Sequence, residues 1–131
     1  MNNLGETYEA TFPDGTQIFC EQVSHHPPIT NWELIGPQNM YSFYGSGELS
    51  AAFRGNSIRG HQAGTHYIDF HLDGGRITYE LPEVWVRGIM FGERIIEYDG
   101  LVTFHDEKNK LMLVNQFFFI SPFFNFFCIQ C

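Results

Sequence analysis

Two adjacent histidines, His25 and His26, are the residues of this 131-residue chain whose types and spacing most suggest chemistry. They lie in the stretch Glu21 to Thr30, EQVSHHPPIT, between a serine and two prolines. Proline has no N–H and pushes the residue before it into an extended conformation. Four interpretations follow from the residues alone: a metal site, a catalytic site, an anion site, or a turn that ends a strand.

The spacing favours neither a metal centre nor a hydrolytic site. The chain has six histidines, at His25, His26, His61, His66, His71 and His105. None shows the i, i+4 spacing of a helical H-E-x-x-H motif, and neighbouring residues of a strand face opposite sides. A Ser-His hydrolase is also disfavoured, because Ser24 is adjacent to His25 and the chain has no G-x-S-x-G elbow. We therefore expect no enzyme, no metal and no cofactor.

An anion site agrees better with these residues. Two imidazoles at a turn can each donate an N–H, and a phosphate beside them favours their protonated form. Binding at such a site should weaken as the pH rises above neutrality. The site must be local, because 15 acidic and 7 basic residues give the chain a formal charge of −8. That charge provides no general attraction to nucleic acid or to anionic membranes.

The stretch Glu21 to Pro28, EQVSHHPP, resembles, residue for residue, the signature of the oxysterol-binding protein family. Upstream, Leu4 to Glu9, LGETYE, is similar to another element of that family. Gly55 to Ile58 resembles a segment further downstream, and residues 79–100 have the family's order of strand, proline, strand and glycine. The similarity extends over roughly Leu4 to Phe118.

The resemblance implies a lipid-binding domain, built as a nearly closed antiparallel β-barrel around a lipid tunnel. It implies binding of a sterol or phosphatidylserine in exchange for phosphatidylinositol 4-phosphate, without covalent chemistry. The protein would be cytoplasmic, would visit membranes such as contact sites peripherally, and would have no nucleic-acid partner. In this resemblance His25 and His26 contact the phosphates of the lipid headgroup. The turn that presents them is supported by Glu21, Gln22, Ser24, Pro27 and Pro28.

The chain also departs from the family pattern. The family's lysine before the Leu-Gly-Glu element, its N-terminal lid and its C-terminal headgroup contacts have no counterpart in these 131 residues. We therefore expect a partial domain. One alternative stays open, a truncated remnant or interaction scaffold that does not transfer lipid by itself.

Short strands and turns are the elements that must position the histidines. Residues 8–12 and 17–23 predict one hairpin around Pro13-Asp14-Gly15. Residues 66–72 and 76–81 predict another around Asp73-Gly74-Gly75, a favoured hairpin signal. No window shows sustained helical periodicity. The expected fold is all-β, an antiparallel meander with little or no helix that forms part of a larger incomplete β-barrel.

Three further boundaries follow from turn residues and composition. We expect a strand over 40–44 to end at Gly45-Ser46-Gly47, and strands over 94–98 and 101–105 to be joined by a turn at Asp99-Gly100. Residues 111–131 carry no charge and contain seven of the 14 phenylalanines. Their length would suit a membrane span, but polar residues interrupt them, which favours a strand over 111–119. The expected division is a partial lipid-binding domain at 1–119 and an aromatic tail, unlike the family, at 120–131.

Overall fold

The structure is a computed structural model that describes residues 4–118, and these residues form ten β-strands and one short 3-10 helix. The helix spans Pro37–Asn39. The strands are β1 (Thr7–Thr11), β2 (Gln17–His25), β3 (Pro28–Ile35), β4 (Tyr41–Phe53), β5 (Ser57–Ala63), β6 (Thr65–Phe70), β7 (Gly75–Glu80), β8 (Glu83–Arg87), β9 (Ile95–Asp106) and β10 (Leu111–Phe118). The predicted all-β class is confirmed. The predicted tail at 120–131 lies outside the described residues.

The strands form one antiparallel sheet that closes partly on itself. Its order is β1-β2-β3-β4-β5-β8-β9-β7-β6, with β10 paired to β9. The long strand β4 closes the ring, because Tyr41–Gly45 pairs with β6 while Glu48–Phe53 pairs with β5. Strands β1 to β3 extend from this ring on the other side of β4. This arrangement confirms the expected incomplete barrel.

Both predicted hairpins are present, and each turn is closed by an aspartate. β1 and β2 pair from Thr7 opposite Glu21 onwards, and the N–H of Thr16 donates to Asp14 Oδ1 at 2.9 Å. β6 and β7 pair in the same way, and the N–H of Gly75 donates to Asp73 Oδ1 at 3.0 Å. An aspartate side chain that binds the backbone two residues ahead stabilises such turns.

The predicted end of a strand at Gly45-Ser46-Gly47 is wrong, because β4 continues through these residues to Phe53. Glycine is required at these positions by close packing and not by a turn. A Cβ on Gly45 would stand 3.0 Å from Cζ2 of Trp32, and one on Gly47 would stand 3.1 Å from Cδ of Gln62. Glycine inside a strand commonly marks such close approach.

The predicted turn at Asp99-Gly100 is also wrong, because β9 runs unbroken from Ile95 to Asp106. Asp99 pairs with Glu83 of β8 on one side and with Phe118 of β10 on the other. Pairing on both edges of the strand therefore overrides the local turn preference of Asp-Gly. Gly100 still has an unusual backbone, with φ of 135°.

Alternation along the strands separates a polar face from an apolar face. On the polar face, Tyr44 donates to Asp69 at 3.1 Å, and Arg76 donates two hydrogen bonds to the same carboxylate at 2.6 and 2.8 Å. Those bonds from Arg76 lower the pKa of Asp69 below its ordinary value. On the apolar face, Phe43, Ile68 and Ile77 lie in one row across β4, β6 and β7.

The apolar face, which a barrel turns to its interior, is largely uncovered within the described part of the chain. There, Val102, with 3% of its surface exposed, is the one apolar side chain that is fully buried. Other large apolar side chains remain open to solvent, such as Leu49 at 55% and Leu113 at 52% exposure. The described strands thus form a wall whose apolar side could be covered by further protein or by a ligand.

Candidate functional site

The two histidines lie at the tight turn that joins β2 to β3. His25 and Pro28 are the last pair of the ladder, so His26 and Pro27 alone form the connection. All four residues are exposed, and the His26–Pro27 peptide bond is cis. The turn therefore presents both imidazoles at the end of a hairpin, where a ligand from solvent or from a membrane can reach them.

The imidazole rings of His25 and His26 lie together, with centroids 4.5 Å apart and planes inclined by 57°. Strand alternation stops at His25 and His26 already belongs to the turn, so the two rings are not held on opposite faces of one strand. Over residues 4–118, neither ring takes part in an ion pair with a side chain of the protein. Two adjacent imidazoles can donate N–H groups to one anion from neighbouring positions.

A β-bulge at Val23 sets the phase of the strand before the histidines. Gln22 pairs with Thr30, but Ser24 pairs with Ile29, so Val23 has no partner across the ladder. The side-chain amide of Gln22 spans the bulge and donates to the carbonyl oxygen of Ser24 at 3.0 Å. A bulge redirects the residues that follow it, so it determines how the turn leaves the sheet. No glycine or other turn residue at Val23 indicates this bulge in the sequence.

Backbone hydrogen bonds join the histidine hairpin to the segment that precedes β1. The N–H of Gly5 donates to the carbonyl oxygen of Gln22 at 2.9 Å, and the N–H of Gln22 donates to that of Glu6 at 3.1 Å. Gln22 is 8% exposed, so these bonds are protected from water. The two motifs singled out in the sequence, LGETYE and EQVSHHPP, are therefore neighbours in the structure and hold one another.

The other predicted support residues have separate positions around the turn. Glu21 is exposed and lies between Thr7 of β1 and Asn31 of β3. Ser24 is half-buried and offers its backbone carbonyl, not its hydroxyl, to Gln22. The structure thus places Gln22 at the centre of the support and Glu21 at its surface.

An aromatic cluster lines the apolar face beside the same hairpin. Trp32 of β3 contacts Phe43 of β4 with centroids 4.3 Å apart and His66 of β6 at 5.4 Å. Tyr79 of β7 stacks on His66 at 5.1 Å and contacts Phe104 of β9 at 4.8 Å. The cluster therefore runs across five strands and forms a continuous aromatic wall.

His66 is a buried polar group within this aromatic wall. It is 3% exposed, and its Nδ1 has no hydrogen-bond partner within residues 4–118. Burial lowers the pKa of His66, because the charged imidazolium loses its hydration there. Sequence reasoning gave His66 no role, although its place in the alternating run His66, Ile68, Phe70 indicated an apolar face.

Two structural features bear on other classes of function. In the part of the chain that the structure describes, no three His, Cys, Asp or Glu side chains converge as metal ligands would. Over the same residues, no helix has the length and hydropathy to cross a bilayer.

The sequence profile of the oxysterol-binding protein family matches residues 3–123. The chain is similar to oxysterol-binding protein 9 of Dictyostelium discoideum, with 44% identity over 108 residues, 82% of this chain and 25% of that protein. It is also similar to human oxysterol-binding protein-related protein 1, with 35% identity over 106 residues, 80% of this chain and 11% of that protein. The chain therefore spans at most a quarter of the length of these two relatives.

Solved structures are similar to this fold over about the same share of the chain as the sequence relatives. A crystal structure of the Osh3 ORD in complex with PI(4)P from Saccharomyces cerevisiae matches with a TM-score of 0.74 and 25% identity, over 80% of this chain and 28% of that one. An Osh1 ORD domain in complex with ergosterol matches with a TM-score of 0.72 and 32% identity, over 80% of this chain and 26% of that one. A further crystal structure of the Osh1 domain contains cholesterol.

Proposed function

Because the chain belongs to the oxysterol-binding protein family, we propose that it binds phosphatidylinositol 4-phosphate through the histidine turn. His25 and His26 hold the headgroup phosphate, and Glu21, Gln22, Ser24, Pro27 and Pro28 support the turn. The observation that carries this proposal is the pair of exposed imidazole rings, 4.5 Å apart at the end of one hairpin. No covalent step is involved.

The chemistry of the turn suits a phosphate. A protonated imidazole donates from both ring nitrogens, so two such rings provide up to four N–H groups and two positive charges. Hydrogen bonds between a charged donor and a phosphate oxygen are about twice as strong as neutral ones. Because the rest of the chain is acidic, the attraction is local and specific to this turn.

The aromatic wall supports the second half of the proposal, a site for the apolar part of a lipid. Trp32, Phe43 and Tyr79 offer flat apolar surfaces on the face that the ring encloses. The fused rings of a sterol or the acyl chains of a phospholipid would cover part of the exposed apolar surface. The structures of relatives with ergosterol, cholesterol and PI(4)P support this choice of ligand class.

We further propose that the domain transfers lipid between membranes. A transferred lipid must leave water completely, and the described strands form one wall of the chamber that this requires. We propose that residues 1–119 act as part of a lipid-transfer domain and that residues 120–131 lie outside it. The cytoplasmic leaflet carries phosphoinositides, so the protein would act in the cytoplasm, peripherally at membranes. If extraction of sterol or phosphatidylserine from vesicles fails while headgroup binding persists, the chain is a binding scaffold and not a transfer protein.

Binding to vesicles tests the headgroup site. The 131-residue chain is added to phosphatidylcholine vesicles with either phosphatidylinositol 4-phosphate or phosphatidylinositol, at pH 6 and pH 8. We expect stronger binding to the 4-phosphate, weaker binding at pH 8, and loss of the preference in His25→Ala/His26→Ala. His71→Ala/His105→Ala is the matched control, because both of these histidines are exposed and lie away from the turn. A double turn variant that keeps the preference would overturn the assignment.

A further inference from the structure

Three apolar side chains are exposed where the β4–β5 and β8–β9 hairpins end side by side. Phe53, the last residue of β4, is 77% exposed. Met90 and Phe91, in the loop over residues 88–94, are 77% and 71% exposed. We call Phe53, Met90 and Phe91 the apolar tip.

Asn56, in the turn between β4 and β5, fixes the backbone of the apolar tip. Its side-chain oxygen accepts from the N–H groups of Met90 and Phe91 at 2.9 and 3.1 Å, and its amide donates to the carbonyl of Phe91 at 2.7 Å. Its main-chain oxygen accepts from Gly88 at 3.0 Å and Ile89 at 3.3 Å. Four consecutive N–H groups are therefore satisfied inside the protein.

These hydrogen bonds lower the cost of moving the loop from water into an apolar medium. Backbone N–H and C=O groups without a partner make transfer from water into an apolar medium costly. In this loop the N–H groups of residues 88–91 already have partners within the protein. Gly88 allows the close approach of the two ends of the loop, because its φ is 70° and a Cβ there would overlap the carbonyl of Glu93. The loop therefore presents its two apolar side chains on a fixed backbone.

The charge around the apolar tip differs from that of the whole chain. Arg54, Arg87 and Arg94 are exposed there, and they are three of the seven basic residues of the chain. Arg87 pairs with Glu97 at 2.5 Å, which leaves Arg54, Arg94 and the acidic Glu93 beside the tip. The tip is thus locally basic on a chain with a formal charge of −8.

The apolar tip and the histidine turn lie at the same end of the sheet. Ile29, just after the turn, pairs with Glu48 of β4. From that level β4 continues for five residues to Phe53, which at a strand rise of about 3.3 Å per residue takes the tip roughly 16 Å further along the strand. A surface that the tip enters would therefore approach the histidine turn from the same side.

The opposite end of the ring also exposes apolar side chains but carries acidic ones. Met40 and Leu72 are 40% and 85% exposed and line a cavity of about 460 Å³ together with Asp73 and Asp106. Lys108 pairs with Asp73 at 3.4 Å, and Arg76, which also lines the cavity, pairs with Asp69 at 2.6 Å. The basic side chains at the cavity are thus paired with carboxylates, which makes this end the matched control.

We propose that the apolar tip inserts into the interfacial region of an anionic membrane, with Arg54 and Arg94 against the lipid phosphates. This interaction is independent of the histidine turn, since it needs a negative surface and not a phosphoinositide. Amphipathic contacts of this kind bind through buried apolar area together with attraction to anionic lipid. The tip would hold the domain on the membrane while the turn selects the headgroup.

Partition to vesicles without any phosphoinositide tests this proposal. The whole chain is mixed with phosphatidylcholine vesicles with and without phosphatidylserine, and bound protein is measured by flotation. Met90→Ser/Phe91→Ser should reduce partition at least about tenfold, from the apolar area withdrawn from the bilayer. Arg54→Gln/Arg94→Gln should reduce it roughly 30-fold on vesicles with phosphatidylserine and leave partition to phosphatidylcholine unchanged.

Leu72→Ser is the matched control, because Leu72 is more exposed than Met90 or Phe91 and lies at the opposite end of the ring. It should leave partition unchanged. The proposal is overturned if the parent does not bind phosphatidylserine vesicles, if Leu72→Ser weakens binding as much as the tip variant, or if the tip variant binds like the parent. A tip variant that alters the oligomeric state but not partition would assign the tip to contacts between copies of the chain. The preference for the phosphoinositide headgroup is measured separately, so failure of the histidine site and failure of the apolar tip can be told apart.

Discussion

The side-chain amide of Gln22 donates to the carbonyl oxygen of Ser24 at 3.0 Å, across the bulge that precedes the two histidines. The backbone of Gln22 also bonds to Gly5 and Glu6. One buried residue thus links the upstream motif to the turn. If the geometry of the turn matters for phosphate binding, Gln22 is a positioning residue for His25 and His26.

We predict that Gln22→Leu weakens headgroup binding without touching the ligand. The loss of one partly buried hydrogen bond should lower the free energy of unfolding by about 1 kcal/mol. Affinity for the 4-phosphate should fall as the turn loses its support, measured by vesicle binding beside urea unfolding. Glu33→Gln, at an exposed position of β3 that has no part in the turn, should change stability by less than about 0.5 kcal/mol and leave affinity intact. Reduced stability with unchanged affinity would make Gln22 a purely structural residue.

Gly45→Ala should destabilise the sheet at the aromatic wall. The added Cβ would stand 3.0 Å from Trp32 Cζ2 and 3.3 Å from the carbonyl oxygen of Thr65, and the backbone atom cannot easily move. Crowding of this kind costs about 1–3 kcal/mol, which urea unfolding can measure. Ser46→Ala, at the exposed next position of β4, is the control. Equal midpoints for the two variants would show that Trp32 can shift freely.

The buried His66 should make stability depend on pH. Its pKa is below the ordinary value of 6.5 in the folded protein, so the unfolded chain binds more protons as the pH falls below about 6.5. The free energy of unfolding should therefore decrease on acidification through this window, until the lower folded pKa is reached. His66→Phe should reduce this dependence of the free energy of unfolding on pH, whereas His105→Gln, at an exposed position, should leave the dependence unchanged. A slope that survives in His66→Phe would assign it to other groups.

Asp69→Asn should weaken the polar face. The two hydrogen bonds from Arg76 lower the pKa of Asp69, so their stabilisation is present above pH 3.8 and is lost as the pH falls through the lower folded value. The pair is partly exposed, so we expect a loss on the order of 1 kcal/mol at pH 7. The variant should lose part of the acid sensitivity that the parent shows in urea unfolding. Glu48→Gln, at an exposed position of β4, serves as the control, and a loss of equal size there would refute a specific role for Asp69.

Local sequence signals predicted the class of fold and the two Asp-closed hairpins, because Asp14 and Asp73 act on residues next to them. The signals failed where distant residues decide. Gly45 reads as a turn residue, yet Trp32 from another strand requires it within β4. Asp99-Gly100 reads as a turn, yet pairing on both sides keeps it extended.

The candidate site was predictable in its residues but not in its geometry. The types and order of His25, His26 and the prolines indicated an anion site and matched a family signature. The proximity of the two rings depends on where the strand ends, and the support by Gln22 depends on a bulge. Within residues 4–118 Nδ1 of His66 has no partner, which is a property of packing between β3, β4, β6 and β7, so no local pattern reports it.

The proposed function requires that both imidazoles of the turn contact the lipid phosphate. Imidazole resonances of the 15N-labelled chain, followed during titration with a short-chain phosphatidylinositol 4-phosphate at pH 6, test it most directly. We expect the ring signals of His25 and His26 to shift together and to saturate at one ligand concentration, while those of the exposed His105 stay in place. Equal small shifts of all three histidines, or shifts of neither turn histidine, would contradict it.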